Sequence, residues 1–353
     1  MSTLLGPPQV GTMECLRTHE RTSPYLEGMR ALPTLPSILF RFLGLVADPR
    51  VSNQQLSDFI WRDPALLARA IPAVSASPST RTLPVSQLRQ GIAWLGREQL
   101  RNIAYTTPLV RSFEPLRMGF NAVTFWERSV LCAYACDALA RRLKLPVPEQ
   151  YYVAGLLHDI GYLFFLQKQP AALREVIARW SAQPGDLLQI ESEVLGTDHC
   201  RLGLEMSAKL DFEPWLRAAI GHHHCPSQDW DWVTRITCIG SAYCNSKGID
   251  FYPPRTVARG TREREMEEII RVLVPDLPEE GPSQLLAAME KTFAPVRRWV
   301  LDLLVEFQPA GTKDVPADAP GGQDEAASRP RVSPASSEPR AATIVSLRRY
   351  DGS

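Results

Sequence analysis

The chain has 353 residues, 44% of them hydrophobic, enough to bury the core of one large domain or two small ones and ordinary for a globular protein. Lys plus Arg (39) balances Asp plus Glu (39), so no overall positive field collects phosphate backbones or anionic lipid, and neither nucleic acid nor a membrane is expected as partner. Residues 1–20 lack the basic and apolar regions of a signal peptide, and no stretch reaches the roughly 18 uninterrupted apolar residues of a membrane span, so a cytoplasmic location is expected.

Residues 1–31 carry turn formers without a sustained period and read as a flexible leader. From LPTLPSILFRFLGLVADP onward, Ile38, Leu39, Phe42, Leu43, Leu45 and Val46 recur at helical spacing until Asp48-Pro49. Ser52 with Gln55 forms a capping-box signature for the next helix, and Asp63-Pro64 opens another. VSQLRQGIAWLGREQLRNIAYTTPLV gives two amphipathic segments around Gly96, and FWERSVLCAYACDALARRLKL gives a long helix with a basic end. The segments from the GLLHDIG stretch to VTRITCIGSAYCNSKG also read at a period near 3.6, GLLHDIG itself lying on a helix.

No alternating strand emerges, so the fold class is all-α, with roughly ten helices sharing one core over residues 32–248. Residues 254–307 form a helical extension: a charge-dense helix, then an amphipathic one broken near Pro295. It is expected to pack on the main domain or on a partner. The composition of 308–353 marks a disordered tail, whose apolar ending ATIVSLRRY is either an idle terminus or a docking peptide. Trp94, Trp126, Phe164, Phe165 and Trp215 are expected in the core, and the seven cysteines are expected to be free thiols.

Five of six histidines lie in three places: His158 beside Asp159 in GLLHDIG, His199 in GTDHCRLG, and His222, His223 and His224 in GHHHCPS. Histidine and aspartate suit a metal of borderline hardness, and phosphoryl transfer uses two such ions. Cys200 and Cys225 follow His199 and His224 directly, which raises a structural zinc site of two histidines and two thiolates.

The motifs LPTLPSILFRFLGL, RDPALLARAI, GIAWLGREQLRNIA, FWERS, AGLLHDIG, VLGTDHCRLG and AIGHHHCP, in that order, resemble the HDOD domain over about residues 32–248. This is the divergent, regulatory relative of the HD-domain metal-dependent phosphohydrolases. The resemblance implies an α-helical bundle, a bacterial signalling role and no demonstrated catalysis. His158, Asp159, His199, His223 and His224 match family positions that carry histidine or aspartate, and form a candidate residual metal or ligand pocket.

Two positions depart from the catalytic pattern. Arg128 stands where the family pattern has a histidine ligand, and Ser241 where it has a late aspartate. A fixed cation repels a divalent ion and can pair with Asp159 instead. The reading is therefore a non-catalytic signal-transduction module acting through a signalling protein partner, with homo-oligomerisation open. No catalytic residue or cofactor is expected; if an ion binds, it is divalent manganese, iron, magnesium or zinc. Two alternatives stand: an HD-class phosphohydrolase acting on a nucleotide or cyclic dinucleotide, and a regulatory domain sensing a small anion through Arg128 and the histidines.

Overall fold

Cap chemistry sets the helix boundaries of the N-terminal half. α1 (Pro36–Ala47) is followed by α2 (Asn53–Ile60), which starts on the expected capping box: the Ser52 side chain accepts from Gln55 N, and Gln55 Oε1 from Ser52 N. Asp63 caps α3 (Pro64–Ala76), its Oδ1 accepting from Leu66 N at 2.6 Å. Its Oδ2 takes Trp126 Nε1 at 2.6 Å and Thr34 Oγ1 at 2.8 Å, so the cap also ties α3 to the long helix that carries Trp126. α4 (Leu88–Trp94) and α5 (Gly96–Thr106) meet at Gly96, whose φ of +80° needs a residue without Cβ.

The structure, a computed structural model, describes residues 34, 36–80, 82–107, 122–182, 186–249 and 259–305. The expected leader and tail lie outside them. The remaining helices are α6 (Ala122–Arg142), α7 (Pro148–Leu157), α8 (Ile160–Lys168), α9 (Pro170–Ala182), α10 (Leu187–Leu195), α11 (His199–Lys209), α12 (Pro214–His222), α13 (Trp232–Ser246), α14 (Arg259–Leu273) and α15 (Gly281–Val305). Every regular element of some length among the described residues is helical, so the fold is all-α. None of these helices is long and apolar enough to cross a membrane.

α6 is the axis of the packing: α7, α13 and α15 all lie along it. Gly155 allows α7 its close approach, since a Cβ there would stand 2.8 Å from Ala133 Cα and from the Cys132 carbonyl. Trp126, Phe164 and Phe165 are buried as expected, and Trp215 is half-buried. Trp94 is 52% exposed, a correction to its expected core place: it ends α4, where the helix turns away at Gly96.

The extension packs on the main domain. Leu285, Met289 and Phe293, four residues apart, form the buried stripe of α15. Tyr243 Oη donates to Glu290 at 2.6 Å, Arg297 Nε to Glu127 at 2.7 Å, and Arg142 to Gln284 at 2.8 Å. α15 runs through Pro295 without the expected break. Proline removes a single helix donor, and the stripe that buries α15 holds the helix across that loss. Cys132, Cys136, Cys200, Cys238 and Cys244 are free, whereas Cys225 is engaged in a disulfide, which corrects the expectation of seven free thiols.

Candidate functional site

The HD pair does not lie within one helix. α7 ends at Leu157 and α8 begins at Ile160, leaving His158 and Asp159 at the junction, with Asp159 at φ −96°, ψ 17°. At this junction the Asp159 carboxylate meets side chains of α6, of α11 and of the C-terminal end of α12. Gly161 then lets α8 lie against the first residue of α11, because a Cβ at that position would overlap the His199 carbonyl. His223 caps α12 at its C-terminal end. Arg128 comes from α6 and Ser241 from α13. All six of these side chains are buried: none of the residues exceeds 3% exposure.

The Oδ2 atom of Asp159 faces a guanidinium. Arg128 Nε donates to it at 3.0 Å. The other guanidinium nitrogens donate to Asn245 Oδ1 at 2.6 Å, the Ile249 carbonyl at 3.0 Å and Ser241 Oγ at 2.9 Å. The two positions that depart from the catalytic pattern are thus hydrogen-bonded to each other. His158 Nε2 also lies 2.9 Å from Oδ2, yet without hydrogen-bond geometry, and it is a buried nitrogen with no hydrogen-bond partner.

The Oδ1 atom faces imidazoles. His223 Nε2 lies 3.2 Å and His199 Nε2 3.5 Å away, and the two ring nitrogens are 3.4 Å apart. The far ring nitrogens fix the orientation. His158 Nδ1 faces the Gly155 carbonyl at 2.8 Å, His223 Nδ1 the Ile220 carbonyl at 2.9 Å, and His199 Nδ1 the Glu191 carboxylate at 2.7 Å. Each of those oxygens can only accept, so each Nδ1 carries a proton and each Nε2 is turned toward Asp159. Glu191 also accepts from His199 N at 2.9 Å and from Tyr162 Oη.

Burial opposes ionisation of both Asp159 and His199, and their neighbours overcome it. His158, His223 and Arg128 hold the Asp159 carboxyl well below the usual carboxylate range. His199 is held well above an ordinary histidine; burial pushes the adjoining Cys200 thiol up to about 11, so it is neutral at pH 7 and Glu191 supplies the charge that keeps His199 protonated. Burial lowers His223 to about 4 and His224 well below its ordinary value.

The HDOD domain family model matches residues 32–226, more than half of the chain. The chain belongs to the HDOD family. None of the curated proteins matches it. Solved structures with similar folds include the MmoQ response regulator from Methylococcus capsulatus (21% identity over 73% of this chain and 98% of that one, TM-score 0.54). A virulence factor from Campylobacter jejuni is another (16%, 80% and 100%, TM-score 0.54), and an HDOD domain protein of unknown function from Geobacter sulfurreducens a third (24%, 80% and 96%, TM-score 0.48).

A two-metal centre of the HD kind does not fit this HDOD site. The guanidinium of Arg128 occupies one side of Asp159, where a bridging carboxylate would need a free oxygen, and Ser241 Oγ is committed to Arg128. The orphaned Nε2 of His158 points at an oxygen already taken.

His224, half-buried, has its ring 4.4 Å from that of His223 and 5.1 Å from that of His199. His222 turns away and stacks on Trp230 at 4.0 Å. Cys200 Sγ is 3.5 Å from His199 Nε2, but Cys225 does not join the expected pair of thiolates. Three partners escaped the sequence reading: Glu191, Tyr162 and Asn245. Glu191 had a signal, since it stands four residues from Leu187 and from Leu195 on the apolar stripe of α10, where a carboxylate must have a buried partner. Asn245 lies one turn after Ser241 and thus on the same face of α13.

Proposed function

We propose that this HDOD chain is a signal-transduction module that acts by binding a protein partner and turns over no substrate. The observation that carries the reading is the hydrogen bond between Arg128 and Ser241 beneath Asp159: both substituted positions serve a buried ion pair. The MmoQ protein, with which the chain shares its fold, bears the name of a response regulator, which agrees with a signalling role. An anion-sensing role for Arg128 is disfavoured, because its guanidinium is 4% exposed and already donates to Asp159, Asn245, Ile249 and Ser241.

The test is hydrolysis. Purified full-length chain, incubated with manganese and either a cyclic dinucleotide or an activated phosphodiester, is expected to show the same background as His158→Ala. Manganese-dependent turnover that His158→Ala abolishes would replace this reading by the phosphohydrolase one. Partner binding is tested by capture from native cytoplasm with full-length chain and with a chain ending at residue 307. A protein retained in stoichiometric amount by the first, and identified, supports the module; none retained by either form removes the partner from the proposal.

A further inference from the structure

We propose that a cavity between α3, α5 and the end of α11 binds a small aliphatic carboxylate with a hydrogen-bond donor on its α-carbon, apart from the HD pair and without resting on the functional reading above. The cavity measures about 380 Å³, within the range of small-molecule sites. α3 lends it Ala68, Arg69, Pro72 and Ala73, α5 lends Gln99, Asn102, Ile103 and Thr106, and Leu210 completes the lining. Leu210 caps α11 at the end opposite His199, about 16 Å along the helix, so a ligand in the cavity reaches neither the histidines nor Asp159.

Charge and hydrogen-bonding capacity set the ligand class. Among the described residues of the lining Arg69 alone is charged, so the cavity favours an anion. Arg69 Nε donates to Thr106 Oγ1 at 3.2 Å, and Thr106 Oγ1 donates to the Asn102 carbonyl at 2.7 Å, which ties the guanidinium to α5. Gln99 and Asn102, three residues apart on α5, each add a primary amide, so donors outnumber acceptors and a carboxylate suits them better than a cation or a neutral amide. One acceptor stands among them. Pro72 has no N–H for the Ala68 carbonyl one turn before it, and Ala68 is 2% exposed, so that oxygen calls for a donor from within the cavity. An N–H or O–H beside the carboxylate supplies it. Pro72, Ile103 and Leu210 offer apolar surface to a branched side chain, and the small Ala73 leaves it room.

The experiment titrates full-length chain with N-acetyl-leucine, which carries all three features, and follows saturation transfer to its methyl protons by NMR. Binding in about the millimolar range is expected for a ligand of this size. N-acetyl-leucinamide, which lacks the charge, should bind about tenfold more weakly or worse, and 4-methylpentanoate, which lacks the N–H, about threefold to tenfold more weakly. Arg69→Gln should lose about tenfold or more in affinity, and Ala73→Trp should abolish transfer by filling the cavity. Arg298→Gln, which removes an exposed cation of α15, should change nothing. The same chemistry ends a peptide with an aliphatic C-terminal residue. Acetyl-Gly-Gly-Leu separates the two sources: tighter binding than N-acetyl-leucine points to a peptide end and equal or weaker binding to a free acid, the site standing in either case. No transfer in the native chain overturns the proposal, as do an acid and amide that bind alike, an Ala73→Trp chain that binds like wild type, or an Arg298→Gln chain weakened as much as Arg69→Gln. If Arg69→Gln and Ala73→Trp do not fold, Asn102→Leu decides: weaker binding supports the site, and unchanged binding overturns it.

Discussion

The two oxygens of Asp159 face different chemistries. Oδ2 meets Arg128, a cation that keeps its charge at any working pH and is pinned to α13 through Ser241 and Asn245. Oδ1 meets His199 and His223, whose protons can leave. One substitution on α6 therefore locks one side of the carboxylate and leaves the other open to titration. Asp159→Asn strikes both sides, leaving Arg128 and His199 without their shared counter-charge. It is expected to cost about 3–5 kcal/mol in urea unfolding, the range for removing one partner of a buried ion pair. Adding Arg128→Met should recover a large part of that, since it removes the orphaned cation. A single-mutant cost below about 1 kcal/mol would show that the two sides are not joined through Asp159.

On the Oδ1 side acid should act through His223. His223 has its pKa lowered from 6.5 to about 4 in the folded chain, so below about 6.5 the unfolded chain takes up a proton that the native one refuses. Stability is thus present above 6.5 and is lost as pH falls toward 4, by at most about 3 kcal/mol from this residue. His224, lowered further, adds in the same direction. His199 has the opposite sign: its contribution is whole below 6.5 and is lost as pH rises through its elevated folded value. Thermal unfolding between pH 7 and 4, with chelator present, should show Tm falling with acid, and His223→Gln should flatten the fall. An equal slope in both chains would mean that His223 is not the group protonated.

Glu191→Gln tests the support of the same side without touching Arg128. It keeps the shape and an acceptor for Tyr162 but removes the charge opposite His199, for an expected loss of about 2 kcal/mol, in the range of hydrogen bonds to charged groups. Its sharper readout is the His199 pKa, followed by NMR, which should drop toward that of an ordinary histidine. A pKa that stays high would transfer the role to another group.

These residues also show how far the sequence alone reaches. Ser52, Asp63 and Gly96 announce their helix boundaries through chemistry contained in a few adjacent positions, and each boundary falls where that chemistry puts it. The pairing of Arg128 with Asp159 was legible because a cation in a ligand position has few partners. The break at His158 and Asp159 was not, since the apolar run from Tyr151 to Leu166 reads as one helix; Gly161, two residues on, packs against the first residue of α11. Glu191 escaped for a similar reason: its partner lies on another helix, and only the burial of its stripe hints at one. Pro295 misled in the other direction, because a packed stripe outweighed a local rule.

The smallest effect concerns the residue next to Arg128. Glu127, about 100° round α6 from Arg128, accepts from Arg297 Nε of α15 at 2.7 Å, so consecutive residues of one helix belong to two arginine–carboxylate pairs. The pairs share their chemistry and differ in exposure: the Arg297 side chain is 46% exposed and that of Arg128 4%. Water screens Arg297 but not the buried Glu127, so Arg297→Ala should cost about 1 kcal/mol, more than a fully exposed pair and less than Asp159→Asn, with Arg297→Lys close to wild type. Because Arg297 belongs to α15 and bonds Glu127 rather than Asp159, the His199 pKa should not move in either variant. A cost for Arg297→Ala that rivals Asp159→Asn, or a shift at His199, would mean that α15 and the Asp159 cluster are coupled through α6, and that burial alone does not separate the two pairs.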